Sequence, residues 1–270
     1  MPEANETIPE ELSPKKSSGQ IYYQELEEGV DALTMELHRL FISGFAAGLE
    51  LGLSLFLVAI VKTLGEGELS RPSLELVVAA MTSFGFIAVI LGRSELFTEQ
   101  TTLAIIPLLS GKASVGEVAR LWGVVYVSNL IGAAACAGFI VLIGPALREI
   151  ETQVIVEIAN QRVDHRWWVI LLSGVLAGWI MGLLSWLVAA GRDTTSQIII
   201  IVIFTGAIGL GHLHHSILGS TEVLAGIFAG ERVTFGDFGY FLLWATLGNA
   251  VGGALFVALL KFGHARSEHA

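Results

Sequence analysis

Six apolar runs, at 40–61, 74–97, 120–143, 167–190, 198–229 and 238–262, constrain this chain more than any other feature. Each is close to the ~20 residues that a helix needs to cross ~30 Å of hydrocarbon. The charges collect in the links between them, with Lys62, Glu66, Glu68 and Arg71 in the first and a polar stretch from Arg148 to Arg166 in the middle. With 53% hydrophobic residues, 15% charged residues and a mean hydropathy of +0.70, an ordinary water-soluble domain is excluded. The pattern predicts an all-α membrane protein of six transmembrane helices, with the lipid bilayer as its first partner.

The ends differ from this body. Residues 1–20 hold Glu3, Glu6, Glu10 and Glu11 where a signal peptide would need basic and then apolar residues, and read as a disordered acidic tail. Over 21–39 the apolar residues Tyr22, Leu26, Val30, Leu33 and Leu37 recur at helical spacing with Glu25, Glu27, Glu28, Asp31 and Glu36 between them. That predicts an amphipathic helix packed on the rest of the protein, leaving 40–270 as the six-helix pore domain. Of the net charge of −10, the first 39 residues carry −6. Scattered Lys and Arg form no basic stripe, so nucleic acid is not expected as a partner. Cys136 is the only cysteine and rules out an intrachain disulfide. Six spans put both termini on one side. Lys15, Lys16, Arg39, Lys112, Arg120, Arg192, Lys261 and Arg266 on that side outnumber the six Lys and Arg opposite, which favours termini in the cytoplasm of a cell inner membrane.

The body repeats itself. Aligning 41–60 with 171–190 pairs Ser43 with Ser173, Gly44 with Gly174, Ala47 with Ala177, Gly48 with Gly178 and Gly52 with Gly182. Further on, Ser114–Glu117 matches Thr234–Asp237, and Asn129–Ala133 matches Asn249–Gly253. Two three-helix halves follow. Because three spans reverse the side of entry, the repeat is inverted, an arrangement that places substrate paths at the repeat interface. The middle span of each half carries a polar break, Leu91–Gln100 in span two and Ile208–Glu222 in span five. Polar, non-helical backbone at membrane depth is tolerated only when buried in protein or lining a water-filled cavity. Two such breaks predict a pore or gated site.

The Glu95–Thr98 E-L-F-T break, the G-x-x-H-H-S-I stretch ending at Ile217, the G-F-A-A-G entry of span one and the G-N-A-V-G-G of span six together resemble the formate/nitrite transporter family, over about 33–262. The resemblance implies an aquaporin-like fold without Asn-Pro-Ala motifs, a homopentamer with one pore per protomer, and passage of small monovalent anions or their acids. It further implies that Leu96, Phe97 and Thr98 form part of the inner constriction and that His215 is the pore histidine. An asparagine common in the family's span four falls on Gly178, and Arg93 and Glu50 are additions, which resembles a divergent, YfdC-like branch.

Individual residues allow more than one role. His215 can donate to a passing anion or simply bridge helices; His212 and His214 can line vestibules or pack. The spacing of the three histidines does not suit one helix face, so no metal site is expected. Glu50 in mid-span needs compensation, for which Arg93 is the candidate, with protonation the alternative. Glu95 and Glu222 are expected to satisfy backbone freed at the breaks. Phe84, Phe86, Leu91 and Ile208 are candidates for hydrophobic narrowing, and Asn129 and Asn249 for bridging backbone across helices. Catalysis is not expected: Ser216 and His215 project about 100° apart on a helix, and neither G-x-S-x-G nor H-E-x-x-H occurs. No cofactor is expected. The expected function is a channel or transporter for a small monovalent solute, a weak-acid anion. The alternatives are a pore for a cation or neutral solute, or an occluded scaffold or sensor.

Overall fold

The computed structural model describes residues 15–230 and 232–259. The first fourteen residues of the expected tail, Glu231, and residues 260–270 with Lys261 and Arg266, including the end of the sixth apolar run, lie outside the described residues. The chain is all-helical in order α1 Ser18–Thr34, α2 Leu37–Gly65, α3 Arg71–Gly92, α4 Phe97–Leu103, α5 Ile105–Leu109, α6 Val115–Ala146, α7 Thr152–Val163, α8 Trp167–Ala190, α9 Thr194–Leu210, α10 Ser216–Phe228 and α11 Phe235–Val251, continued by a π-helical turn Gly252–Leu259. Among the described residues, five helices are long and apolar enough to cross a membrane: Leu37–Gly65, Arg71–Gly92, Val115–Ala146, Trp167–Ala190 and Phe235–Leu255. The apolar run at 198–229 is divided between the shorter α9 and α10. The polar stretch after Arg148, read as a link, contains α7.

Helix starts follow from their caps. The matched sequences at Ser114–Glu117 and Thr234–Asp237 both form capping boxes, at the starts of α6 and α11. The helices then pack in matched pairs, α2 on α6 and α8 on α11, with α3 against α9. Glycine makes the crossings possible. A Cβ at Gly48 would lie 2.2 Å from the Asn129 carbonyl oxygen, and one at Gly178 would lie 2.2 Å from that of Asn249, so backbones touch where a side chain would hold them apart. Outward faces remain apolar: Ile42, Leu76, Phe139, Leu142, Leu172 and Ile203 are exposed, which suits lipid or a neighbouring copy and not water.

The N-terminal amphipathic segment forms α1 with boundaries that differ from its sequence pattern. Ser17 caps it in a capping box with Gln20, and extended backbone at Met35 and Glu36 ends it, so the exposed Leu37 belongs to α2. It docks on the end of α8, where Lys16 Nζ donates to the Ala189 carbonyl at 2.5 Å, a cation on a helix C-terminus. On the other side, Arg120 Nη2 donates to Leu33 O at 2.8 Å. Glu25, which helical spacing puts among the polar residues, is instead buried, with Ser185 Oγ at 2.8 and 2.9 Å from its two carboxylate oxygens. Burial raises the Glu25 carboxyl to about 8, more than the Ser185 hydroxyl lowers it, and Glu28 raises it further.

The sign of the linkage is fixed by that shift. A carboxyl whose folded pKa lies above its free value stabilises docking below about 4.5, and this contribution is lost as pH rises through about 8. Protease protection of α1 in detergent-solubilised protein is therefore expected to fall between pH 5 and pH 9, and Glu25→Gln to flatten the fall. Protection that rises with pH would contradict the assignment.

Candidate functional site

Both interruptions are built the same way. α3 ends where Arg93 takes a left-handed conformation (φ 56°), and α9 ends two residues before His212, which does the same (φ 48°). In each case the helix closes through a six-residue backbone bond, Ser94 N–H to Val89 O at 3.0 Å and Leu213 N–H to Ile208 O at 3.0 Å. The following short helices, α4 and α10, then start inside the protein. Their free N–H groups need partners at this depth.

Two asparagines from the crossing helices supply them. Asn129 of α6 accepts from Phe97 N–H at 2.9 Å and donates to Gly44 O at 2.7 Å and Glu95 O at 2.9 Å. Asn249 of α11 accepts from Ser216 N–H at 2.7 Å and donates to Gly174 O and His214 O, both at 2.9 Å. The serines paired by the sequence repeat act alike: Ser43 Oγ accepts from Glu95 N–H and Ser173 Oγ from His214 N–H, each at 3.0 Å. Asn129 and Asn249 do bridge backbone across helices, and each holds one interruption to one helix pair.

This scaffold brings the two interruptions together. His215, at the start of α10, has Nε2 2.8 Å from Thr98 Oγ1 of α4. Its Nδ1 accepts from Leu218 N–H at 3.2 Å, so the ring caps its own helix. A nitrogen that accepts carries no proton, and the partners therefore assign the proton to Nε2, which donates to Thr98. The ring edge packs on Phe86 with centroids 5.1 Å apart. Phe86, Ile208, Leu96 and Phe97 are buried in one apolar cluster; Phe97 meets Tyr126 edge-on with centroids 4.8 Å apart. The N-termini of α4 and α10, the positive ends of their dipoles, thus face one another.

The remaining sequence candidates lie elsewhere or are paired differently. Toward α1 a cavity of about 580 Å³ is lined by Glu28, Asp31, Arg39, Arg93, Glu95, Glu99 and Gln100 among others. Glu95 Oε2 accepts from Gln100 Nε2 at 2.5 Å. Arg93 lines this cavity and forms no ion pair with Glu50, because the left-handed turn carries it away from α2; Glu50 Oε2 has no hydrogen-bond partner. Toward α7, Glu222 does not serve freed backbone. It is bound by Arg162 of α7 through Nε at 2.6 Å and Nη2 at 2.9 Å. His212 meets Glu75 at 3.2 Å near the surface, and His214 Nδ1 meets Ser173 Oγ at 2.9 Å. Phe84 is exposed.

Arg162 is the residue that the sequence pattern concealed. The signal was indirect: Glu222, in an apolar run, requires a cation, and Arg162 closes a short amphipathic stretch before span four. Among the described residues no group of three or more His, Cys, Asp or Glu could hold a metal ion. At Gly178 any side chain would meet the Asn249 backbone, whose carbonyl oxygen would lie 2.2 Å from an added Cβ. Gly178→Asn is therefore expected to lower the thermal unfolding temperature of detergent-solubilised protein by several degrees; an unchanged transition would mean that α8 and α11 can separate without cost.

The comparisons with known proteins agree with this architecture. The family model described as Formate/nitrite transporter matches residues 19–263. Inner membrane protein YfdC of Escherichia coli (strain K12) is 30% identical over 245 residues, covering 90% of this chain and 77% of its own. Two solved structures share the fold. One is an FNT family ion channel with a TM-score of 0.79 and 23% identity, covering 92% of this chain and 98% of its own. The other is a pentameric formate channel with formate bound, with a TM-score of 0.73 and 22% identity, covering 84% and 97%. A match across nearly the whole membrane body, with an all-helical fold to go with it, places this chain in the formate/nitrite transporter family.

Proposed function

We propose that the chain forms a pore for a small monovalent weak acid, such as formate or nitrite, and that the solute passes the meeting point of the two interruptions at His215 and Thr98. The observation that carries this reading is the 2.8 Å contact between Thr98 Oγ1 and His215 Nε2. With His215 donating to it, the Thr98 oxygen is occupied as an acceptor while its own hydrogen is uncommitted. That hydrogen can bind a carboxylate or nitrite oxygen in a setting walled by Phe86, Leu96, Phe97 and Ile208. The two helix N-termini add partial positive charge without any fixed ion. Apolar walls resist charge, so the same geometry suits a solute that crosses with its charge partly or fully neutralised.

In this reading the described helices form six spans as two inverted three-helix repeats, an arrangement supported by the matched asparagine, serine and capping-box contacts of the two halves. The apolar outer faces suit a homopentamer, in keeping with the pentameric formate channel of like fold, in a cell inner membrane with cytoplasmic termini. The acidic N-terminal segment, α1 and the helices from α2 onward then act as tail, docked helix and pore domain. The carboxylates Glu28, Asp31, Glu95 and Glu99 outnumber Arg39 and Arg93 in the cavity toward α1, which favours, as a second reading, entry of the neutral acid over the anion.

Stopped-flow uptake of formate and of nitrite into proteoliposomes tests the function. Uptake well above that of protein-free vesicles is expected for at least one of them. Uptake of neither, by protein shown to be folded and inserted, would favour an occluded scaffold or sensor.

A further inference from the structure

The pore reading leaves Glu222 without a task, yet it is among the most buried charges of the described chain. Its side chain is 5% exposed and that of Arg162 is 11% exposed. The guanidinium grips both carboxylate oxygens, and its third nitrogen, Nη1, reaches the Leu213 carbonyl at 3.5 Å, inside the second interruption. Arginine cannot discard its proton in a protein, so this is a permanent positive charge beside the chain segment that carries His215. A bare cation in that position would attract anions to the passage, since charge in a low-dielectric wall acts at long range. Glu222 cancels it at contact distance.

We propose that Glu222 is a specificity-determining residue that, by chelating Arg162, removes the fixed positive charge from the second interruption and so lowers the share of solute that crosses as the anion. This rests on the pore reading above. Bidentate pairing also holds α7 on α10, but a structural clamp and a charge mask differ in what they predict. Loss of a clamp changes how much protein folds or how fast every form of the solute crosses. Loss of the mask changes the ratio of charged to total passage.

The measurement pairs two readouts on the same proteoliposomes, total formate uptake and the formate-driven electrical current. Wild type, Glu222→Gln, Arg162→Gln and the double variant are compared. Glu222→Gln is expected to raise the current-to-uptake ratio by about tenfold, Arg162→Gln to lower it, and the double variant, again neutral, to return it toward wild type. If Glu222→Gln does not fold, because it strands a buried arginine, the other two decide: the ratio must fall in Arg162→Gln and recover in the double variant. An unchanged ratio in every folded variant, with uptake intact, overturns the proposal and leaves the pore reading standing. Wild-type protein that takes up no formate overturns both.

Discussion

Asn249→Ala is expected to unfold the second half of the membrane body well below the wild-type transition. The asparagine is fully buried and makes three hydrogen bonds, of which two, from Ser216 N–H and to His214 O, involve backbone groups with no other partner among the described residues. Truncation strands both groups in an apolar interior, and each stranded group costs roughly 1–3 kcal/mol, so a loss of roughly 2–6 kcal/mol follows. In a chain of this size that lowers the unfolding temperature by about 10 °C, measured by tryptophan fluorescence in detergent. Asn129→Ala should behave alike, because its bonds to Phe97 N–H and Glu95 O repeat the arrangement. The exposed Gln153→Ala serves as the control. A shift of only a degree or two in both asparagine variants would show that water or backbone movement replaces these bonds.

The second large effect concerns transport and not stability. His215 does two things with two nitrogens: Nδ1 caps α10 and Nε2 donates to Thr98. Asparagine is as good a helix cap as any residue, so His215→Asn keeps the first role and removes the second. Formate uptake is expected to fall at least about tenfold, corresponding to about 1.4 kcal/mol of lost interaction at the proposed passage, while the unfolding temperature stays close to wild type. His215→Ala, which loses both roles, should lose stability as well. Full uptake by a stable His215→Asn protein would remove the histidine from the path and leave it as a cap.

Much of this architecture was legible in the sequence, and the reason is physical. Hydrocarbon forces spanning backbone into helices about twenty residues long, so apolar runs reveal α2, α3, α6, α8 and α11 directly. Close helix crossing requires glycine, so Gly48 and Gly178 appear in register in both halves. Backbone broken at membrane depth requires polar partners, so Asn129 and Asn249 recur too. Where the sequence reading went astray, pairing between distant segments was at issue. Glu50 and Arg93 face each other on paper, but the left-handed turn after α3 directs Arg93 into the cavity toward α1. Glu222 seemed suited to freed backbone, but a helix hidden in a polar link brings Arg162 to it.

By itself the sequence determined the membrane class of this protein, its five long apolar helices and the two places where helices must stop. Those properties follow from local composition and from the cost of unpaired backbone in lipid, which act over one helix or one crossing. Only the tertiary structure decided which ionisable side chain finds which partner: Thr98 with His215, Arg162 with Glu222, Glu25 with Ser185. Such pairs join residues between 60 and 160 positions apart, and their formation depends on how all the helices pack together, which no single stretch of chain encodes.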